Sequence, residues 1–140
     1  MTFLLDTNVL SELRKKQRCD DQVKHWQASI SIASCYVSVI SMMEIKHGIF
    51  AAERSNTEFS EILQKWYTEK LKVTFETRML PLTLAISERC AKLMAGRTRG
   101  LADNLIAATA FEHRLTLVTR NVADFSDTGV ILLNPWEFKP

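Results

Sequence analysis

Apolar residues along the chain fall into two kinds of pattern. Short unbroken runs, Thr2-Phe3-Leu4-Leu5, Cys35-Tyr36-Val37-Ser38-Val39, Leu115-Thr116-Leu117-Val118-Thr119 and Val130-Ile131-Leu132-Leu133, read as buried strands. Between them apolar residues recur at helical spacing. Asn8, Val9, Leu10 and Leu13 follow Asp6, and Asp20 and Asp21 open a helix through Val23, Trp26 and Ile30. Ser41 opens a third, with Met42, Ile45, Ile49 and Phe50 as its apolar face. The polar segment 53–57 joins it to a helix holding Phe59, Ile62, Leu63, Trp66 and Leu71. Met79-Leu80-Pro81 is a short strand that proline confines to an edge or an end. Thr83 caps a helix carrying Ile86, Cys90, Leu93 and Met94, which fades in the basic stretch Gly96-Arg97-Thr98-Arg99-Gly100; another helix runs over 101–113. Asn134-Pro135 ends regular structure. Strands alternating with helices predict an α/β fold of three layers, a mostly parallel central sheet with helices on both faces. No repeat or linker divides the chain, so residues 1–140 are expected to form one domain.

Composition narrows the function classes. A 46% hydrophobic content with 24% charged residues excludes a disordered tail, and no apolar run approaches the roughly 20 residues of a membrane span. No export signal opens the chain, so a cytoplasmic location and no membrane partner are expected. The three cysteines, Cys19, Cys35 and Cys90, lack the close pairing of a zinc or redox site. The four glycines form neither a phosphate-binding loop nor a dinucleotide fingerprint. A net charge of +2 is too mild to indicate nucleic acid by itself, so the placement of charge matters more than its total.

Parallel sheets bind ligands beyond the carboxyl ends of their strands. Asp6 ends the first strand, Glu44 lies near the start of the helix after the second, and Asp103 lies in the first turn of the helix after Gly100. Asn121 and Asp124 follow the strongest strand. Each acid has a local alternative: Asp6 as a helix cap, Glu44 and Asp103 as complements to a helix dipole. Asp103, however, shares a helical face with Ile106, Ala107 and Ala110, and a carboxylate on a buried stripe needs a partner. Gathered together, these groups repel unless a hard cation neutralises them, and an oxygen-only set suits Mg²⁺ or Mn²⁺.

Leu4-Leu5-Asp6-Thr7-Asn8-Val9-Leu10-Ser11-Glu12-Leu13, Ser41-x-x-Glu44, Ala102-Asp103-x-Leu105-Ile106-Ala107-Ala108-Thr109-Ala110 and Leu117-Val118-Thr119-Arg120-Asn121-Val122-Ala123-Asp124-Phe125, with Asn134-Pro135-Trp136, occur in that order. In this the chain resembles PIN-domain proteins, and more narrowly the VapC toxins of bacterial toxin–antitoxin pairs. The resemblance implies a PIN-like fold and a Mg²⁺-dependent endoribonuclease. Asp6 and Asp103 match the aspartates that touch the metal, and Glu44 the glutamate that acts directly or through water. The fourth position falls to Asn121, where many relatives have aspartate, or to Asp124. Asn104 stands where alanine is common, its side chain expected to face solvent.

The mechanism expected from this is hydrolysis by a metal-activated water, oriented by Glu44, Asn121 and Asp124. Basic residues recur near each acidic motif, and Arg14, Lys46, Arg99 and Arg120, with Thr7, Asn8 and Thr119, are the candidate substrate contacts. Trp26, Trp66 and Trp136 read as packing residues and His25, His47 and His113 as scattered ones. The resemblance further implies a homodimer and a cognate antitoxin, which inserts a basic side chain among Asp6, Glu44 and Asp103. An antitoxin helix is expected around Met42, Phe50, Phe59 and Ile62. The alternative reading is a PIN-like module that binds RNA or a partner without cutting, favoured by the neutral Asn121 and opposed by Asp124.

Overall fold

The computed structural model describes all residues, Met1–Pro140. Five strands, β1 (Phe3–Leu5), β2 (Cys35–Ser38), β3 (Met79–Leu80), β4 (Thr116–Val118) and β5 (Leu132–Leu133), form one sheet in the order β3-β2-β1-β4-β5, and every pairing is parallel. The helices are α1 (Thr7–Leu13), α2 (Asp21–Ala28), α3 (Val39–Ser55), α4 (Thr57–Trp66), α5 (Lys72–Thr74), α6 (Leu84–Gly96) and α7 (Leu101–Glu112). No helix is long and apolar enough to cross a membrane.

The central strands are mostly apolar because both faces are covered. Phe3 and Leu5 of β1, with Val118 of β4, join Trp26, Ile45, Ile49 and Phe75 in the core under α1, α2 and α3. Leu4 and Leu117, one residue out of step, face the opposite core with Ile106, Ala107 and Ala110 of α7. Ala108, on another side of α7, packs with Ile86 and Cys90 of α6. The small residues of α7 let one helix touch both the sheet and α6 closely. Trp26 is buried and meets the Phe3 ring edge-on, with centroids 5.4 Å apart; Trp66 and Trp136 lie at the margin of the same core.

Four boundaries differ from expectation. Helix α3 begins at Val39 rather than Ser41, because the Ser38 hydroxyl accepts the Ile40 N–H at 3.0 Å and caps the helix there. β-Branched Val39 and Ile40 therefore serve a first turn instead of a strand. Helix α3 also continues through 53–55, and Asn56 alone separates it from α4, with its side chain accepting the Phe59 N–H at 3.1 Å. The helix expected to run to Leu71 gives way after Trp66 to a π turn, Tyr67–Leu71, that leads into α5. At the C-terminus Asn134 caps one further 3₁₀ turn, Pro135–Glu137, instead of closing regular structure.

Because β1 is central, with β2 on one side and β4 on the other, the chain leaves the ends of these three strands within one small region. Asp6 follows β1, α3 follows β2 directly, and Thr119 follows β4. This is the switch point at which such sheets present their ligand-binding edge.

Candidate active site

Asp6 is the innermost acid, only 5% exposed. Its backbone N–H still belongs to the sheet, donating to the Val118 carbonyl at 2.9 Å. Its Oδ1 accepts the Thr7 N–H at 2.8 Å, so the expected capping role is real; its Oδ2 accepts the Thr119 hydroxyl at 2.7 Å and the Asn8 amide at 3.4 Å. Burial nonetheless pushes the Asp6 carboxyl up from its usual range. The bonds from Thr119 and Thr7 pull it back in part, and the charge of Glu44 pushes it further up.

Glu44 is half-buried on α3, and its Oε1 accepts the Thr7 hydroxyl at 2.7 Å. The same hydroxyl lies 3.0 Å from Oγ of fully buried Ser41. Asp103, half-buried in the first turn of α7, is also raised, first by burial and then by the charges of Asp6, Glu44 and Asp124, with Arg99 drawing it down. Acids from four separate segments thus share one electrostatic neighbourhood. They do not close on one another: no three acidic, histidine or cysteine side chains converge into a ligand shell. Asp124 is exposed, 3.9 Å from an Arg97 guanidinium nitrogen. Asn121 is exposed as well, and its backbone N–H donates to the Thr119 hydroxyl at 3.1 Å.

The donor set fits a hard divalent cation. It is made of carboxylate and hydroxyl oxygens without thiols or imidazoles, and carboxyls that burial and mutual repulsion both raise gain most from a nearby positive charge. Asp6 and Asp103 are the carboxylates that would hold such an ion, with Glu44 and Asp124 in the same field.

Several of the expected substrate contacts have other roles. Thr119 is completely buried and spends its hydroxyl on Asp6; Thr7 orients Glu44. Asn8 ties Asp6 and Thr119 to the Arg120 N–H, which it accepts at 3.4 Å. These three brace the acids from within. Arg99 is not a free phosphate-binding arm either: only 3% of its side chain is exposed, and its guanidinium is consumed by Asn104, Asp127 and the Asp124 carbonyl. Lys46 turns toward α4, donating to Gln64 and lying over the Phe50 and Tyr67 rings. Arg14 sits at the far end of α1, about 12 Å along the helix axis from Asp6, over the Phe59 ring and beside the cleft lined by Leu13, Trp66 and Phe75. Of the expected cations, Arg120 stays exposed beside the site, its guanidinium 5.0 Å from the Trp136 ring centre.

Asn104 reverses expectation: it is fully buried, not solvent-facing, because Arg99 needs its side-chain oxygen. Met42 is likewise buried, while Met43, Phe50, Phe59 and Ile62 are exposed on α3 and α4. Met42 shares the buried face of α3 with Ile45 and Ile49, and Phe50 falls outside that face. Ser41, Asn104 and Asp127 are the residues that sequence reasoning left without a part in the site. Ser41 carried a signal in its spacing to Glu44, whereas Asp127 carried none.

The PIN domain family matches residues 3–131 of this chain. The chain belongs to the PIN domain family. This PIN domain is 36% identical to the VapC ribonuclease Y4jK of Sinorhizobium fredii, over 96% of its own length and 98% of the relative's. It is 31% identical to the toxin FitB of Neisseria gonorrhoeae, again over 96% and 98% of the two chains. Superposed on the crystal structure of FitAcB from Neisseria gonorrhoeae it gives a TM-score of 0.87 at 30% identity, covering 98% of this chain and all (100%) of the other. Within the family the chain is of the VapC type, and the three-layer α/β expectation is met by an all-parallel sheet.

Proposed function

We propose that this PIN domain is a metal-dependent endoribonuclease, the toxin of a toxin–antitoxin pair, acting in the cytoplasm on cellular RNA. The observation that carries the reading is the buried Asp6 carboxylate, braced by two hydrogen bonds yet raised by burial and by Glu44, with Asp103 in the same field. A divalent cation would offset the charge that burial and mutual repulsion make costly here. Relatives named a ribonuclease and a toxin, and a structure of similar shape described as a toxin–antitoxin complex from Klebsiella pneumoniae (TM-score 0.71, 28% identity), support the nuclease and antitoxin parts of the reading.

Asp6 and Asp103 would hold Mg²⁺, or Mn²⁺ in its place, with Glu44 and Asp124 completing the charge. When bound, the ion offsets the charge of the scissile phosphate and makes water more acidic. The protein's own groups do the rest. Thr119 and the Thr7 N–H fix both oxygens of Asp6, so the carboxylate cannot rotate away. The Thr7 hydroxyl occupies Oε1 of Glu44 and leaves Oε2 to accept a proton from the attacking water. Arg120 is the exposed cation available to a neighbouring phosphate. An antitoxin helix would cover Phe50, Phe59 and Ile62, and a basic side chain from it would enter among Asp6, Glu44 and Asp103 in place of the metal.

Cleavage of an RNA mixture by the purified chain tests the proposal. Cutting that requires Mg²⁺ or Mn²⁺, stops with chelator and is lost in Asp6→Asn and Asp103→Asn is the expected result. Metal-independent cutting, or full activity in either variant, refutes it. The exposed Asp124, paired with Arg97, and the neutral Asn121 favour a second reading, RNA binding without cleavage. Tight RNA binding by the wild-type chain with no cutting at any metal concentration would establish it.

A further inference from the structure

Asp103 and Asp124 come from segments with no strand pairing between them, helix α7 and the 3₁₀ turn Val122–Phe125 after β4. An arginine joins the two. Arg99, in the short loop before α7, donates through Nε to the Asp124 carbonyl at 2.9 Å, through Nη1 to Asn104 Oδ1 at 2.7 Å and through Nη2 to Asp127 Oδ1. Asn104, the neighbour of Asp103, is fully buried and returns its amide to the Arg99 carbonyl at 3.4 Å. Each of the three nitrogens of a nearly buried planar fork therefore donates, one to the turn, one to Asp127 just beyond it and one to the helix. Asp127 is exposed, so its ion pair with Arg99 adds little net stability, whereas the fixed geometry of the nearly buried guanidinium sets distances.

We propose that Arg99 is a positioning residue for the acid cluster: bonded at once to the neighbour of Asp103 and to the backbone of Asp124, it sets the spacing of the third and fourth acids. The assignment rests on the metal-dependent reading above. It also goes against the simplest electrostatic expectation. Arg99 is a cation beside Asp103, so by charge alone it weakens divalent binding and its removal tightens it. If Arg99 positions Asp124, its removal loosens binding instead.

The test uses the full chain with Arg99→Met and Arg99→Lys, each alone and combined with Asp124→Asn, which leaves the Asp124 carbonyl in place. Lysine keeps the charge but cannot span three acceptors, and it serves where methionine impairs folding. Mn²⁺ binding is read by calorimetry, and hydrogen exchange is followed across 120–128. Both Arg99 variants should bind Mn²⁺ roughly tenfold more weakly, the scale on which outer supports of metal ligands act. In the Asp124→Asn background the same substitutions should cause no further loss, and exchange should accelerate in 120–128 while β4 and the centre of α7 stay protected. Unchanged or tighter Mn²⁺ binding, an equal loss in both backgrounds, or unaltered exchange in the turn overturns the assignment. Should the wild-type chain bind no Mn²⁺, the metal reading fails, and the exchange measurement still decides whether Arg99 holds the turn.

Discussion

Replacing Asp6 by asparagine should make the metal-free protein more stable while removing its activity. In the ionised state Asp6 has two short hydrogen bonds, to the Thr119 hydroxyl at 2.7 Å and the Thr7 N–H at 2.8 Å. An amide keeps one acceptor oxygen, for the Thr7 N–H, and turns its NH2 group to the Thr119 hydroxyl, which then accepts instead of donating. Two bonds to a charged acceptor, each contributing about 1.5–3 kcal/mol, become two neutral ones of about 0.5–1.5 kcal/mol, so the exchange forfeits roughly 2–3 kcal/mol over the pair. Against this stands the cost of burying an ionised carboxylate, several kcal/mol, together with repulsion from Glu44. Burial and Glu44 push the Asp6 carboxyl up by more than its hydrogen bonds draw it down, so the balance favours the neutral side chain. A net gain of about 1 kcal/mol, usual when a strained functional group is removed, corresponds to about 3 °C in Tm for a chain of this size.

The pH dependence has a definite sign. The folded chain holds the Asp6 proton more tightly than the unfolded chain does, so metal-free wild type loses stability as pH rises from the ordinary aspartate range through the raised folded value. Asp103 adds to the same slope, and Asp6→Asn should flatten it. Saturating Mg²⁺ should reverse the loss: at a hundred times Kd it adds about 2.7 kcal/mol, or roughly 8 °C, to wild type and far less to the variant. Thermal melts at several pH values, with and without Mg²⁺, measure all of this. A variant that melts below wild type in chelator, with the same pH slope and the same response to Mg²⁺, would refute the account of Asp6.

Thr119→Val should leave the fold intact but lower cleavage about tenfold or more, since an outer support of a metal ligand is lost, as measured by single-turnover assays at saturating Mg²⁺. Asp124→Asn should raise the Mg²⁺ concentration needed for cleavage more than Asn121→Ala does, because only Asp124 carries charge; the opposite order in metal titrations would make Asn121 the working ligand. Excess Mg²⁺ should weaken inhibition by the antitoxin, and replacing the antitoxin's inserted arginine by alanine should restore cleavage while keeping most of the affinity, both read in a competition assay. Trp26→Ala, which removes a buried ring packed on Phe3, should cost about 3–5 kcal/mol in chemical denaturation without changing the Mg²⁺ requirement of the folded fraction.

Much of this molecule follows from local sequence. A run such as Phe3-Leu4-Leu5, apolar at every position, has only one soluble destination, a strand covered on both faces, and the helical spacings around it supply the covers. Asp6, Glu44 and Asp103 stand out for the same reason: each is a charge placed where the apolar pattern demands burial or where a strand ends. Tertiary structure decided what lies beneath them. Whether Thr7 orients Glu44, whether Thr119 faces substrate or Asp6, and whether Asn104 points outward depend on groups more than thirty residues away or on one buried arginine. Hydrogen bonds with fixed directions are satisfied only once the strands are in register, so hydrophobic periodicity places an acid at the sheet edge but not the hydroxyl that holds it. Arg99 shows the difference most clearly. In the sequence it is one basic residue in a basic stretch, free to meet phosphate; in the fold, Asn104, Asp127 and the Asp124 carbonyl engage each of its three guanidinium nitrogens, and it becomes part of the scaffold of the acids.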